Sequence, residues 1–225
     1  MTTYLLLIRH GQNDWVGSNR LAGRTPGVHL NETGKVQADS LAKQLADQPI
    51  SAVYSSPLER CMQTAEPTAA ALGLTVQVEE GVIESDFGDW QGEAIADLSK
   101  LPEWHTVQHN PSAFRFPNGE DFPTMQHRAV QALERLQRHH SGQAIAVFSH
   151  ADIIRVCMAH YLGTPLDLFQ RIMVSTASVS AIAFGGSKPM VLYVNRTVDL
   201  PKIEFKSEEE AKEANIESEG RESRK

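Results

Sequence analysis

Tyr4-Leu5-Leu6-Leu7-Ile8 runs without a polar residue into Arg9-His10. A strand with one wet face alternates apolar and polar side chains. An unbroken apolar run of this length reads instead as a strand covered on both faces, as in a parallel sheet. Working outward from it, helical and extended patterns alternate. Asn31 can cap a helix running to about Ala46, with Val36, Leu41 and Leu45 inward. Ile50 to Tyr54 reads as a second strand. Ser56-Pro57 opens the next helix with a cap and a first-position proline. Leu58, Met62, Ala65, Ala69 and Leu72 give that helix an apolar stripe, which Pro67 should kink or split. A third strand spans Thr75 to Val78. Met125, Ala129, Leu133 and Leu136 mark an amphipathic helix. Ala144 to Phe148 is a fourth strand, and Ala151 to Leu162 a helix stopped by Gly163. Ser178 to Phe184 and Met190 to Val194 pair as a closing hairpin. Glu84 to Gly119, with Trp90, Trp104 and several prolines, is irregular with room for short helices. The whole implies an α/β fold, a three-layer sandwich with a mostly parallel central sheet flanked by helices.

The chain has 225 residues, a formal charge of −7, 41% hydrophobic and 22% charged residues. That suits one ordinary globular domain. The last twenty residues, Lys206 to Lys225, carry seven Glu against five Lys and Arg and almost nothing large and apolar. Such a segment cannot offset its ordering entropy. The expected division is therefore a domain over 1–205 and a charged, disordered tail over 206–225. No stretch approaches the ~18 apolar residues of a membrane helix, and the opening run is too short for a signal-peptide core. The acidic balance speaks against nucleic acid. Cys61 and Cys157 form neither a disulfide framework nor a metal set, which suggests reducing cytoplasm. The oligomeric state is not readable, a homodimer being one possibility.

Reactive side chains gather where the strands end. Arg9-His10 follow the first strand, Arg60 falls in the first turn of the helix after the second, Glu84 follows the third, and His150 follows the fourth. In open α/β sheets ligands bind outside the carboxyl ends of the strands. Two guanidiniums match phosphate oxygens bidentately. One His can attack phosphorus if its reacting nitrogen is free, and a second can donate to the phosphoryl oxygens. A carboxyl can protonate the leaving oxygen and then activate water. Glu84 competes with Asp86 and Asp89 for that role and is favoured by spacing. Neither a metal-ligand spacing nor a GxxxxGK[ST] loop is present, so no metal is expected. Arg20 and Arg24 either widen the positive pocket or are surface charges. Ala151 offers its backbone N–H at a helix N-terminus. Trp90 and Trp104 read as core or pocket wall.

Several motifs here resemble those of the histidine phosphatase superfamily, which contains the cofactor-dependent phosphoglycerate mutases. Leu7-Ile8-Arg9-His10-Gly11-Gln12 is similar to its RHG signature, whose His becomes the phosphohistidine. Ser55-Ser56-Pro57-Leu58-Glu59-Arg60-Cys61-Met62-Gln63-Thr64-Ala65 is similar to the segment whose Arg binds the phosphoryl group. Glu84-Ser85-Asp86-Phe87-Gly88-Asp89-Trp90-Gln91-Gly92 resembles the proton-donor segment. Phe148-Ser149-His150 with Ile154-Arg155 resembles the second-His motif. The resemblance implies a phosphoglycerate mutase-like fold and catalytic roles for His10, Glu84, His150, Arg9 and Arg60. Where the family often has Thr and Asn, this chain has Asn13 and Val16, leaving Asn13 or Asn19 to replace the family Asn.

The resemblance further implies a metal-independent phosphomonoester hydrolase that takes a small phosphorylated metabolite and needs no cofactor. Arg9, Arg60, His150, Asn13, Arg24 and Ala151 would contact that substrate. The alternative is a phosphomutase, suggested by the similarity of Leu21 to Leu30 to a phosphomutase subgroup. Only that reading would need priming by a 2,3-bisphosphoglycerate-type ligand. Against it, mutases typically read E-R-x-Y-G where this chain has Glu84-Ser85-Asp86-Phe87-Gly88. A non-catalytic phospholigand-binding module should lack His10 or Glu84, and both are present. The irregular segment from about Trp90 to Glu120 is expected to shape specificity.

Overall fold

The computed structural model describes residues 1–186 and 188–197 with Leu200 and Ile203. The expected charged tail lies outside the described residues. Six strands form one sheet: β1 Thr3–Arg9, β2 Ile50–Ser55, β3 Val76–Val78, β4 Ala144–Ser149, β5 Val179–Gly185 and β6 Lys188–Arg196. Their order is β3-β2-β4-β1-β5-β6. The strands β3, β2, β4 and β1 are mutually parallel, and the β5–β6 hairpin adds two antiparallel neighbours beyond β1. The sheet is thus mixed, with its parallel part carrying the site. The helices are α1 Asp14–Gly17, α2 Glu32–Leu45, α3 Glu59–Ala71, α4 Ile95–Leu98, α5 Pro102–His109, α6 Phe122–His139 and α7 Ala151–Leu162.

The apolar run that opens the chain does what its composition requires. The pleat sends Leu5 and Leu7 to one face and Leu6 and Ile8 to the other, and all four are at most 2% exposed. Helices α2 and α3 close the Leu6–Ile8 face, where Leu41, Leu45, Ala65 and Ala69 meet Val53 and Phe148. Helices α6 and α7 close the other, where Met125, Leu133 and Ile153 meet Leu5, Leu7 and Val147.

Three local expectations are corrected. Val36 is 68% exposed. The buried stripe of α2 is Ala38, Leu41, Ala42 and Leu45, and Val36, two residues before Ala38, falls about 200° around the helix from it. Ser56 does not cap α3, which begins at Glu59 behind Leu58, a cap position without a side-chain hydrogen bond. The Ser56 hydroxyl goes instead to His150. Finally, α3 is not split at Pro67 and continues to Ala71. A single proline removes one hydrogen bond, and a helix packed along its length against α2 tolerates that loss.

Gly34 fixes how the loop after β1 meets α2. Asn31 caps that helix by accepting from Gly34 N at 2.9 Å, and Asn31 N donates to Gln12 O at 3.1 Å. A Cβ on Gly34 would stand 2.0 Å from Gln12 O. Gly→Ala inside a helix ordinarily stabilises by about 1 kcal/mol. Here we expect Gly34→Ala to destabilise by about 2–3 kcal/mol through overpacking against backbone. Urea unfolding reads the difference, and an unchanged or raised midpoint would contradict the close approach.

Candidate active site

The parallel register brings the reactive residues together. Arg9 pairs with Ser149 across β1 and β4, His10 N donates to Ser149 O at 3.0 Å, and Ser56 N donates to Phe148 O at 2.9 Å. The residues just beyond β1, β2 and β4 therefore leave the sheet at one level. Arg9, His10, Arg60, Glu84 and Ala151 line one cavity of about 240 Å³, together with Asn13, Val16, Asn19, Arg20, Asp152 and Arg155.

His10 is 4% exposed. Its Nδ1 lies 2.8 Å from Gly11 O. A carbonyl can only accept, so Nδ1 carries the proton and Nε2 keeps its lone pair. Gly11 is itself held, its N–H donating to Thr64 Oγ1 at 3.0 Å. Burial, then the charges of Arg60 and Arg9, keep the His10 pKa well below the usual 6.5. His10 is thereby neutral near neutral pH.

His150 is fully buried, with its ring centroid 5.3 Å from that of His10. Arg60 Nη2 donates to its Nδ1 at 3.2 Å. That leaves the proton on Nε2, which donates to Ser56 Oγ at 2.8 Å. Burial and then Arg60 hold its pKa well below 6.5 too. The nearby Cys61 Sγ, 3.4 Å from Nε2, remains a thiol, because burial pushes its pKa up to about 12.

Arg60 is 1% exposed. Its Nη2 also donates to Gly23 O at 2.8 Å. Its Nε and Nη1, and the Nε of Arg9, are buried without a hydrogen-bond partner among the described residues. Arg9 Nη1 is anchored to Val174 O at 2.8 Å. Unmet donors on a buried cation cost several kcal/mol (roughly) unless an anion satisfies them. Two guanidiniums with donors to spare, facing one small cavity, form a slot for a tetrahedral oxyanion.

Glu84 stands beside this slot. Its Oε1 accepts from Ser85 N at 2.9 Å, and its Oε2 lies 3.6 Å from His150 Nδ1. Burial, reinforced by the neighbouring Asp152, pushes its pKa up to about 7. It can therefore hold a proton at neutral pH and give it up on demand. Asp86 accepts from Gly88 N at 3.1 Å, and Asp89 accepts from Asn118 Nδ2 at 3.0 Å. Neither lines the cavity, whereas the Glu84 carboxyl does.

Other sequence candidates divide. Asn13 is 1% exposed and caps α1 by accepting from Val16 N at 2.9 Å. Arg20 lines the cavity, but its Nε and Nη2 donate to Gly92 O. Arg24, expected at the substrate, lies outside the lining. Its Nε donates to Glu84 O at 2.9 Å, and it pairs with Glu120 and Asp86 at 3.4 and 3.7 Å. The cation is spent on positioning the acid's backbone. Ala151 opens the twelve-residue α7, so its N–H meets the cavity at a helix N-terminus.

Sequence reasoning missed the part played by four residues. Arg128, in the middle of α6, donates to Gly81 O, Ile83 O and Glu84 O and pairs with Glu120 at 2.6 Å. It clamps the acid-bearing segment from behind, and no local motif announces it. Ser56 orients His150 from another element. Asp152 and Arg155, paired at 2.9 Å, line the cavity, and their spacing of three on a helix was the available signal. Among the described residues no cluster of three or more His, Cys, Asp or Glu could hold a metal, and no helix is long and apolar enough to cross a membrane.

Comparison with known proteins gives a family model described as "Histidine phosphatase superfamily (branch 1)" matching residues 5–197. Phosphoserine phosphatase 1 of Hydrogenobacter thermophilus is 32% identical over 198 residues, 87% of this chain and 93% of that protein. A bifunctional protein of Mycobacterium tuberculosis is 34% identical over 199 residues, 87% of this chain but only 54% of its own length. Among solved structures, YhfR of Bacillus stearothermophilus superposes with a TM-score of 0.81 at 26% identity, covering 86% of this chain and 97% of that one.

Proposed function

The chain belongs to the histidine phosphatase superfamily, and we propose that it hydrolyses phosphomonoesters of small metabolites through a phosphohistidine, without a metal. The observation that carries this reading is the pair of buried guanidiniums with unmet donors beside an unprotonated His10 Nε2. The phosphoryl oxygens satisfy Arg9 and Arg60, which places phosphorus against Nε2. As Nε2 bonds to phosphorus, the ester P–O bond breaks and the leaving oxygen takes the Glu84 proton. His150 stays neutral, and its Nδ1, by accepting from Arg60 Nη2, keeps that guanidinium aimed at the phosphoryl oxygens. Glu84, now a carboxylate, takes a proton from water. The water oxygen attacks phosphorus, the P–N bond breaks, and phosphate leaves with His10 restored. Clamping by fixed cations supplies what a metal supplies elsewhere. A phosphorylated-metabolite panel scored for free phosphate and for isomerised ester tests the reading. Phosphate release that persists in EDTA supports it; isomerisation alone would point to a mutase.

The acid sets the pH dependence. With Glu84 raised to about 7 and His10 depressed, kcat/KM should fall above pH 7 as the acid is lost. It should fall again in acid as His10 is protonated. Glu84→Gln should lower kcat/KM for alkyl phosphates about 10²–10⁴-fold and should abolish the alkaline limb. p-Nitrophenyl phosphate, whose leaving group needs no proton, should lose far less. Equal losses on both substrates would assign Glu84 a structural role. Stability follows the same signs. The raised carboxyl lowers stability as pH climbs from its unfolded value toward 7. The depressed histidines lower it as pH falls below 6.5.

A further inference from the structure

A second cavity, of about 390 Å³, adjoins the phosphate slot and shares Leu21, Phe87, Ile95, Asp152 and Arg155 with its lining. Beyond that shared rim it is walled by Trp90, Trp104, Val107, Phe116 and Phe122. Trp90 and Trp104 stack at 6.1 Å. A cavity of about 150 Å³ suffices to take up benzene, so this one has room for a fused pair of rings. The charged groups at the rim are already engaged. Arg155 is spent on Asp152 and on Ile172 O, while Arg20 lines the phosphate slot and not this cavity. Among the described residues that line this aromatic cavity the one cation, Arg155, is paired with Asp152, so a carboxylate on the leaving group would find no free charge partner inside it.

We propose that this aromatic cavity is the leaving-group subsite, and that the preferred substrate is a phosphomonoester whose alcohol carries an uncharged planar ring system. This rests on the hydrolase reading above. It also separates this chain from a preference for small carboxylated esters. The phosphoryl group sits between Arg9 and Arg60, the ester oxygen faces Glu84, and the ring lies against Trp104 and Phe116. Aromatic contact of this kind adds to the area buried and favours a flat partner.

The test compares four esters of primary alcohols, so that leaving-group chemistry is similar throughout. They are 2-(2-naphthyl)ethyl phosphate, ethyl phosphate, O-phosphoserine and 3-phosphoglycerate. We expect kcat/KM for the naphthyl ester to exceed each of the others at least about tenfold. Trp104→Ala should cut the naphthyl-to-ethyl ratio at least about fivefold. Gln108→Trp, at an exposed position on the cavity wall, should do the same by filling the space, and it covers the case in which the first variant fails to fold. A preference for O-phosphoserine or 3-phosphoglycerate, or a ratio unmoved in both variants, overturns the subsite. Phosphate release from ethyl phosphate without ring preference removes the subsite and leaves the hydrolase standing. Release from none of the four, nor from p-nitrophenyl phosphate, removes both.

Discussion

His10→Ala should lower kcat/KM by about 10⁴–10⁶-fold, the loss seen when a covalent nucleophile is removed from a site whose members act as a unit. Ala leaves the slot intact, since Arg60 and Arg9 are held by Gly23 O and Val174 O and not by the imidazole. Substrate binding should therefore survive while turnover does not. Quenching the wild type with ³²P-labelled substrate should trap an acid-labile, base-stable label, and the variant should trap none. The Nδ1–H bond to Gly11 O identifies Nε2 as the labelled atom. Full turnover by the variant, or label retained in it, would sink the covalent route.

Arg60→Met should move activity and stability in opposite directions. Removing the central clamp should cost about 10³–10⁵-fold in kcat/KM, the worth of an arginine that meets transition-state charge on a transferring phosphoryl group. In phosphate-free buffer the same variant should be more stable, by about 1–3 kcal/mol in urea unfolding, because a buried unpaired charge gives way to apolar packing. The lost bonds to Gly23 O and His150 Nδ1 set about 2 kcal/mol against that gain, less than the several kcal/mol (roughly) that an uncompensated buried cation costs. Phosphate or vanadate should raise the unfolding midpoint of the wild type and leave that of Arg60→Met unchanged. A destabilised variant, or a wild type indifferent to phosphate, would mean that the orphaned donors are not an anion slot.

Fold and chemistry were legible to different depths. Tyr4 to Ile8 could be read because a strand covered on both faces leaves a signal in composition alone. His10 and His150 could be placed because each directly follows a strand, Arg60 because it lies in the first turn of α3 and Glu84 because it comes a few residues after β3, and parallel strands end at one level. Val36 was misread because a helix stripe needs its phase as well as its period. Ser56 was misread because a serine before a proline looks the same whether its hydroxyl caps a helix or reaches His150, 94 residues away. Arg24 and Arg128 were beyond reading. Each is a cation with no neighbouring partner in sequence, and each finds Glu120 and the Glu84 carbonyl only through the tertiary fold.

Arg9, His10 and His150 sit at the ends of core strands and Arg60 in the first turn of α3, whereas the aromatic wall comes largely from the stretch of short helices and turns that follows Glu84 and runs to Phe122. Mutations can therefore drift through that stretch without touching the nucleophile, its acid or the clamp. Lineages that share this scaffold would diverge first in what they release and last in how they release it. For an engineer the same division makes the segment between Trp90 and Phe116 the natural unit to graft, with Arg128 left in place to seat the acid behind whichever wall is installed.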